Sequence, residues 1–291
     1  KRCLTALFLV IFCACDEDKT RTIQSDEDAN QCLALEPVCE PDASMPCMTL
    51  FGRPNEKSGL PDNLCGPACQ CEGTVWTPLP VSGPEVDSLR ARQLTNAFEM
   101  LTADPYGADA PPNRDQDAVC GVLLNASNPN EYELQTFESR SALIRAGAQL
   151  THYGQCGLCS TLKDLAVYIA NPDLTEPVRA CGLQGFTGGP EAQLECIKAL
   201  GFTTPCAQIW SYNTSHTGTV CRDICLSLLS APYHEADGSP NACILCDEEK
   251  SGPVFKAVAG RTRRNSGLPT ALCRPCDDVR RVDHRYRRAL D

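Results

Sequence analysis

His152-Tyr153-Gly154-Gln155-Cys156-Gly157-Leu158-Cys159-Ser160 is the segment whose residue types and spacing could do chemistry. Two thiols separated by two residues run into a stretch, Ser160 to Ala170, in which Leu162, Leu165, Ala166 and Ile169 share a helical face and Ser160 can cap the start. A helix N-terminus and a neighbouring imidazolium both stabilise a thiolate. With His152, Cys156 and Cys159 therefore open three chemistries: thiol–disulfide exchange, nucleophilic catalysis and metal binding. The plainer alternative makes both cysteines ordinary structural bridges, with His152, His216 and His234 as polar surface or capping residues.

A C-x-x-C pair at a helix start resembles the thioredoxin-like redox motif, and Thr204-Pro205 lies forty-five residues on, where that fold places a cis-proline. Against it, no hydrophobic strand is expected before Cys156 and no βαβ pattern surrounds it. Gly154-Gln155-Cys156-Gly157-Leu158-Cys159 also resembles the papain-type pattern Q-G-x-C-G-S-C-W. That resemblance implies Cys159 as the nucleophile and His284, 125 residues downstream, as the general base. It departs from the pattern at Tyr153, where the oxyanion-hole glutamine belongs, and at Ser160, where the tryptophan belongs, and no asparagine follows His284. For metal, Cys243-x2-Cys246 and Cys273-x2-Cys276 offer a second, four-thiolate set. Their twenty-six intervening residues exceed the spacing of zinc ribbons, about 15–20. No cofactor or metal is expected on balance. Asp247, Glu248 and Glu249 carry no spacing that marks a general acid, and no Gly-rich phosphate loop is present.

The elements that hold these residues depend on sulfur. The chain has 21 cysteines in 291 residues. Cys3 and Cys13 lie in what reads as a removable export signal, and Cys15 stands where a lipid would be attached. Eighteen remain: Cys32, Cys39, Cys47, Cys65, Cys69 and Cys71, then Cys120, Cys156, Cys159, Cys181, Cys196, Cys206, Cys221, Cys225, Cys243, Cys246, Cys273 and Cys276. Both groups are even, which fits complete pairing in an oxidising compartment.

Residues 1–14 open with Lys1 and Arg2, and Leu4 to Ala14 is apolar but for Thr5. That length suits a signal-peptide core and is too short for a spanning helix, which needs roughly 20 residues. Phe12-Cys13-Ala14-Cys15 resembles the lipobox of bacterial lipoproteins. The resemblance implies that Cys15 carries a lipid and that the mature chain is extracytoplasmic and membrane-anchored; soluble secretion is the alternative. Residues 15–30 are polar and acidic and read as a flexible tether.

Residues 31–80 form the expected six-cysteine module with three internal bridges, and residues 81–291 the main domain. Gly52-Arg53, Ser58-Gly59-Leu60-Pro61 and Leu64-Cys65-x-Pro67 recur without a gap as Gly260-Arg261, Ser266-Gly267-Leu268-Pro269 and Leu272-Cys273-x-Pro275. The shared Ser-Gly-Leu-Pro is turn chemistry. It reads as a reused loop that presents a cysteine to a bridge, or as a duplicated binding loop.

The fold class is mainly α with minor β, irregular and disulfide-rich, with the small module followed by the larger helical domain. Helical period appears over Pro84 to Leu101, Glu138 to Leu150, Ser160 to Ala170, Pro190 to Leu200 and Val220 to Leu229. Strands are expected at Val119 to Leu124, Ala207 to Tyr212 and Val254 to Val258. The net charge is −11, yet residues 256–291 carry +6. That basic segment would contact an anionic surface, or dock on the protein's own acidic surface. No nucleic-acid partner is expected for an exported acidic chain. The motifs favour a membrane-tethered binding or surface-structural module, with a thiol-dependent enzyme centred on Cys156 and Cys159 as the alternative.

Overall fold

Most helices begin where the sequence supplies a cap. In the computed structural model, which describes residues 50–61, 64–71, 74–78, 80–107 and 117–287, α1 (Gly83–Ala91) starts at Ser82. The Ser82 hydroxyl accepts the Glu85 N–H, and the Glu85 carboxylate accepts the Ser82 N–H. Hydroxyl caps at Ser139, Thr161 and Thr203 open α2 (Arg140–Arg145), α3 (Leu162–Ala170) and α5 (Thr204–Val220). The Asn241 side chain caps α7 (Ala242–Lys250), and Pro253 sits in the first turn of α8 (Gly252–Ala259). With α4 (Thr175–Ala199) and the short α6 (Arg222–Ser227), the protein is mainly helical with minor strand content, and disulfide-rich.

α4 is not one rod. Gly189 takes φ +81°, and Pro190 follows it. A straight helix would separate Cys181 from Cys196 by roughly 22 Å, but their Cα atoms lie 5.4 Å apart and their sulfurs are bonded. The element is a hairpin of two limbs that reverses at Gly189, a backbone conformation glycine alone adopts cheaply.

The largest sheet has the order β5-β7-β6-β8. β6 (Val119–Leu124) lies between β7 (Glu131–Phe137) and β8 (Gln149–Tyr153), antiparallel to both, and β5 (Gln93–Leu94) joins parallel to β7. Val122, Tyr132 and Leu134 of this sheet meet Val86 and Leu89 of α1, Leu162, Leu165 and Ala166 of α3, Ile197 of α4 and Ile209 of α5 in the main core. A small sheet of order β2-β1-β9 joins Cys65–Gly66 and Leu50–Phe51 to Arg274–Pro275, and Cys69–Cys71 (β3) pairs with Thr74–Trp76 (β4).

Several expected boundaries shift. Ala207 to Tyr212 is helical, because Thr203 caps the segment, Pro205 sits in its first turn, and Ala207 and Ile209 are buried in α5. Val254 to Val258 is also helical: Val254, Ala257 and Val258 fall at helical spacing in α8, with Ala257 and Val258 buried. The first helix stops at Ala91, since Arg92 turns extended and Gln93 enters the sheet. Gly147, at φ +67°, separates α2 from β8. A strand therefore does precede Cys156, but its antiparallel pairing keeps it out of any βαβ unit.

Seven disulfides join described residues: Cys65–Cys273, Cys69–Cys276, Cys120–Cys156, Cys159–Cys206, Cys181–Cys196, Cys221–Cys246 and Cys225–Cys243. Bridges of this kind contribute typically ~2–4 kcal/mol each. The expectation that the six N-terminal cysteines pair among themselves is corrected: Cys65 and Cys69 bond to the C-terminal loop. Two strands bring them there, since β1 pairs with β2 on one side and β9 on the other. The signal, the lipidation site Cys15, the tether, and Cys32, Cys39 and Cys47 lie outside the described residues.

Candidate functional site

In the C-x-x-C segment Cys156 is partly buried, and Gly157, Leu158 and Cys159 are buried. Cys156 bonds to Cys120 of β6 and Cys159 to Cys206 of α5, so neither bonds to the other and neither is a thiol. Thiol exchange needs a mutual bridge, and nucleophilic catalysis a free thiolate; the pairing provides neither. The loop is fixed by backbone: Leu158 N–H donates to Val258 O at 3.0 Å and Cys159 N–H to Ala259 O at 2.8 Å. Gly157 and Gly260 meet there so closely that a Cβ on either would strike the other's backbone.

His152 and Ser160 do come together, with Nε2 2.7 Å from Oγ, but both are fully buried. Nδ1 faces the Tyr153 carbonyl at 2.9 Å, so it carries the proton and Nε2 accepts. Ser160 Oγ accepts the Gly157 N–H at 2.8 Å and turns its own proton to His152. Thr161, one residue later than expected, is the helix cap. Behind this loop lies Arg261, wholly buried, donating to the carbonyls of Cys159, Thr151 and Ser160 at 2.9–3.1 Å and to Thr151 Oγ1 at 2.6 Å. His284 is part of the same brace: Nε2 donates to Ser266 O at 2.7 Å and Nδ1 meets the Tyr286 hydroxyl at 3.0 Å. Burial, helped by the Arg261 charge, lowers its pKa to about 3.

The other histidines are not surface residues. His234 is buried between the Ser58 and Cys273 carbonyls. His216 is partly buried, stacks on Tyr106 at 4.3 Å and meets Ser251 Oγ at 2.9 Å. Cys243, Cys246, Cys273 and Cys276 do not converge on a metal, because each is bonded to a different cysteine. Among the described residues no group of three or more His, Cys, Asp or Glu side chains could hold a metal ion. In the basic segment, Arg261 and Arg263 are hydrogen-bonded to backbone carbonyls, Arg264 and Arg274 are paired with Glu248, and Arg280 and Arg281 lie over the rings of Tyr153 and Trp76.

Among the described residues a cleft of about 490 Å³ is open to a ligand, within the usual range for small-molecule pockets, roughly 300–1,000 Å³. The first limb of α4 forms one wall, α5 the floor, α7 and α8 the other wall, and residues 262–274 and α6 the two ends. Glycine lets the walls approach: a Cβ at Gly182 would lie 2.7 Å from Thr214 Cγ2 of α5, and one at Gly185 2.5 Å from Gln193 of the second limb. Three disulfides brace the surround, one within α4 and two joining Cys221 and Cys225 to α7.

The two ends differ. Near the start of α4, the Arg263 guanidinium lies over the Tyr168 ring at 5.3 Å, and Trp210 donates to the Tyr168 hydroxyl at 3.1 Å. Arg264 and Arg274 converge on Glu248 of α7, the former at 2.5 Å. At the far end of the limb, Phe186 is 65 % exposed and lies under Arg222 at 5.5 Å, with Leu183, Leu226 and Leu229 also exposed. Leu174 to Phe186 spans roughly 18 Å of helix. Midway, Asp247 accepts hydrogen bonds from Thr217 and Asn213, and desolvation raises its pKa. Desolvation and the Arg264 cation lower that of Lys256.

Sequence reasoning did not find this cleft. Its one visible signal was Leu183 and Phe186 in a glycine-rich stretch. Residues 190–282, less than half of the chain, match a family described only as a family of unknown function (DUF8771). The match begins at the second limb of α4 and runs through α5 to α8 and the second loop copy. Neither a curated protein nor a solved structure matches the chain.

Proposed function

We propose that the protein is an extracytoplasmic binding protein, held to a membrane through a lipid on Cys15, that takes up an apolar ligand in the cleft between α4 and α8. The observation that carries this reading is the cleft itself: a cavity of about 490 Å³ with exposed Leu183, Phe186, Leu226 and Leu229 at its mouth. Soluble proteins rarely expose such a group of apolar side chains without a partner. The bridges around it favour a preformed pocket, which lowers the ordering cost of binding. Seven disulfides favour an oxidising compartment. Among the described residues no helix is long and apolar enough to cross a membrane, so the lipid supplies the attachment in this reading.

Titration with the neutral dye N-phenyl-1-naphthylamine, whose emission rises in apolar surroundings, tests the binding role. Saturable enhancement by the oxidised protein, lost in Ile244→Trp, is the expected result, because Ile244 lines the cleft. No enhancement, or enhancement indifferent to Ile244→Trp, would overturn it. The anchor is tested separately by expressing Cys15→Ser, which should move the protein from the membrane fraction to the soluble one.

A further inference from the structure

The cleft's electrostatics run against those of the protein. The chain has a net charge of −11, yet the cleft is lined by Arg179, Arg222, Lys256, Arg263, Arg264 and Arg274. Only Asp247 and Glu248 oppose them among the lining residues. Most of these cations are already engaged. Arg179 pairs with Glu176 at 2.8 Å. Arg263 donates to the carbonyls of Tyr168, Asn171 and Pro269. Arg264 and Arg274 share Glu248, and Arg264 also reaches Asp278 at 3.7 Å, so that with Lys256 three cations face two carboxylates. Lys256 stands beside this group and, among the described residues, has no hydrogen-bond or ion-pair partner. Its ammonium lies 3.7 Å from where a Cβ on Gly252 would be, and Gly252 lines the cleft. The remaining acidic group, Asp247, has its carboxylate committed to Thr217 and Asn213.

We infer that the ligand is a single-chain anionic amphiphile, with its head group on the Lys256 ammonium beside Arg264 and Arg274 and its chain along the first limb of α4 toward Phe186. The inference rests on the cleft being a binding site. Charge complementarity selects the head: an anion at Lys256 neutralises the excess cation and restores a partner to a lysine held among like charges. The wall selects the tail. From Leu174 to Phe186 the limb offers Leu174, Val178, Leu183 and Phe186 to the cleft over roughly 18 Å. A long apolar wall with the Lys256, Arg264 and Arg274 cluster in the same cleft fits an extended acyl chain better than a compact ring system. A carboxylate and a phosphate monoester share the head-group chemistry.

The test uses the oxidised full chain and the fluorescent polyene fatty acid cis-parinaric acid beside its methyl ester. The acid is expected to bind about tenfold or more tightly than the ester, the size of one charge-assisted hydrogen bond. Lys256→Met keeps the aliphatic stem and should erase this preference by weakening the acid alone. Lys256→Arg should retain it, and Arg222→Ala, at the other end, should leave it unchanged. Among saturated competitors, each added methylene should tighten displacement about fourfold until the cleft is full. Dodecanoate and dodecyl phosphate, compared as competitors, separate the two head groups, and displacement by either supports the inference. Equal binding of acid and ester, or a preference that follows Arg222 instead of Lys256, overturns the inference while leaving the cleft as a binding site. If neither probe binds and N-phenyl-1-naphthylamine also fails, both readings fall together.

Discussion

Cys65 and Cys273 occupy the same position in two copies of one loop pattern, and they are bonded to each other. The correspondence continues around them. Gly59 and Gly267 both adopt left-handed backbone, at φ +70° and +65°. The carbonyl of the serine before each glycine accepts a hydrogen bond from a buried histidine, His234 at Ser58 and His284 at Ser266. The duplicated pattern is thus a bracing unit used twice and closed on itself by sulfur. Only the second copy buries its arginine, Arg261; Arg53 is exposed.

Removing this bridge should reveal its dependence on a neighbour. Cys69–Cys276 closes nearly the same loop, 207 residues against 208. Chain-entropy arithmetic then assigns either bridge alone the closure of a small ring, about 2 kcal/mol, while losing both also opens the long loop, for roughly 7 kcal/mol. Guanidinium melts of Cys65→Ser/Cys273→Ser, Cys69→Ser/Cys276→Ser and the quadruple variant check this. Simple additivity of the two pairs would contradict it.

Arg261→Met should destabilise the fold by about 3–5 kcal/mol, because the carbonyls of Thr151, Cys159 and Ser160 lose their buried donor. The equivalent Arg53→Met should change stability by less than about 0.5 kcal/mol, as surface substitutions do. Urea unfolding of the pair measures the contrast, and similar losses at both positions would show that Arg261 is not the brace.

The acid response should carry two opposed contributions. Burial and the Arg261 charge hold the His284 pKa at about 3 in the folded chain, against an ordinary 6.5. The unfolded chain therefore gains a proton first, and this histidine's stabilising share is present above pH 6.5 and is lost as pH falls toward 3. Asp164 works the other way. Burial raises its pKa to about 6 against hydrogen bonds from Thr161 and Thr203, so its share is present below pH 3.8 and is lost as pH rises through 6. Each slope is at most about 1.4 kcal/mol per pH unit. His284→Gln should leave a stability that increases on acidification from pH 6 to 4, read by urea melts at stepped pH. An unchanged profile would remove His284 from the account.

Alkylating the native protein should label none of the fourteen bridged cysteines. A non-reducing peptide map should link the Cys156 peptide to Cys120 and the Cys159 peptide to Cys206. A Cys156–Cys159 link would restore the redox reading of the motif.

The helix after the C-x-x-C pair was readable because its cap and apolar period agree, and the strand at Val119 to Leu124 because it is a short, apolar run. The partners of Cys156 and Cys159 were not readable: they lie 36 and 47 residues away along the chain, and cysteine spacing does not choose connectivity. Ala207 to Tyr212 carries Ile209, Trp210 and Tyr212, types that strands favour, and the cap at Thr203 with Pro205 outweighs that composition. The first limb of α4 was hidden for the opposite reason. Pro177, Gly182, Gly185 and Gly188 all argue against a helix, and the packing of Gly182 on α5 and Gly185 on Gln193 that favours it is visible only in three dimensions. The cleft was lost with that limb.

Because Cys65 and Cys69 are tied to Cys273 and Cys276, most of the described chain forms a covalent ring. A protease that nicks one exposed loop between Cys69 and Cys273 opens the ring without shedding a fragment. Such a molecule would keep its mass, apart from one added water, and its attachment to whatever holds its amino end, and the damage would appear on a gel only after a reductant was added.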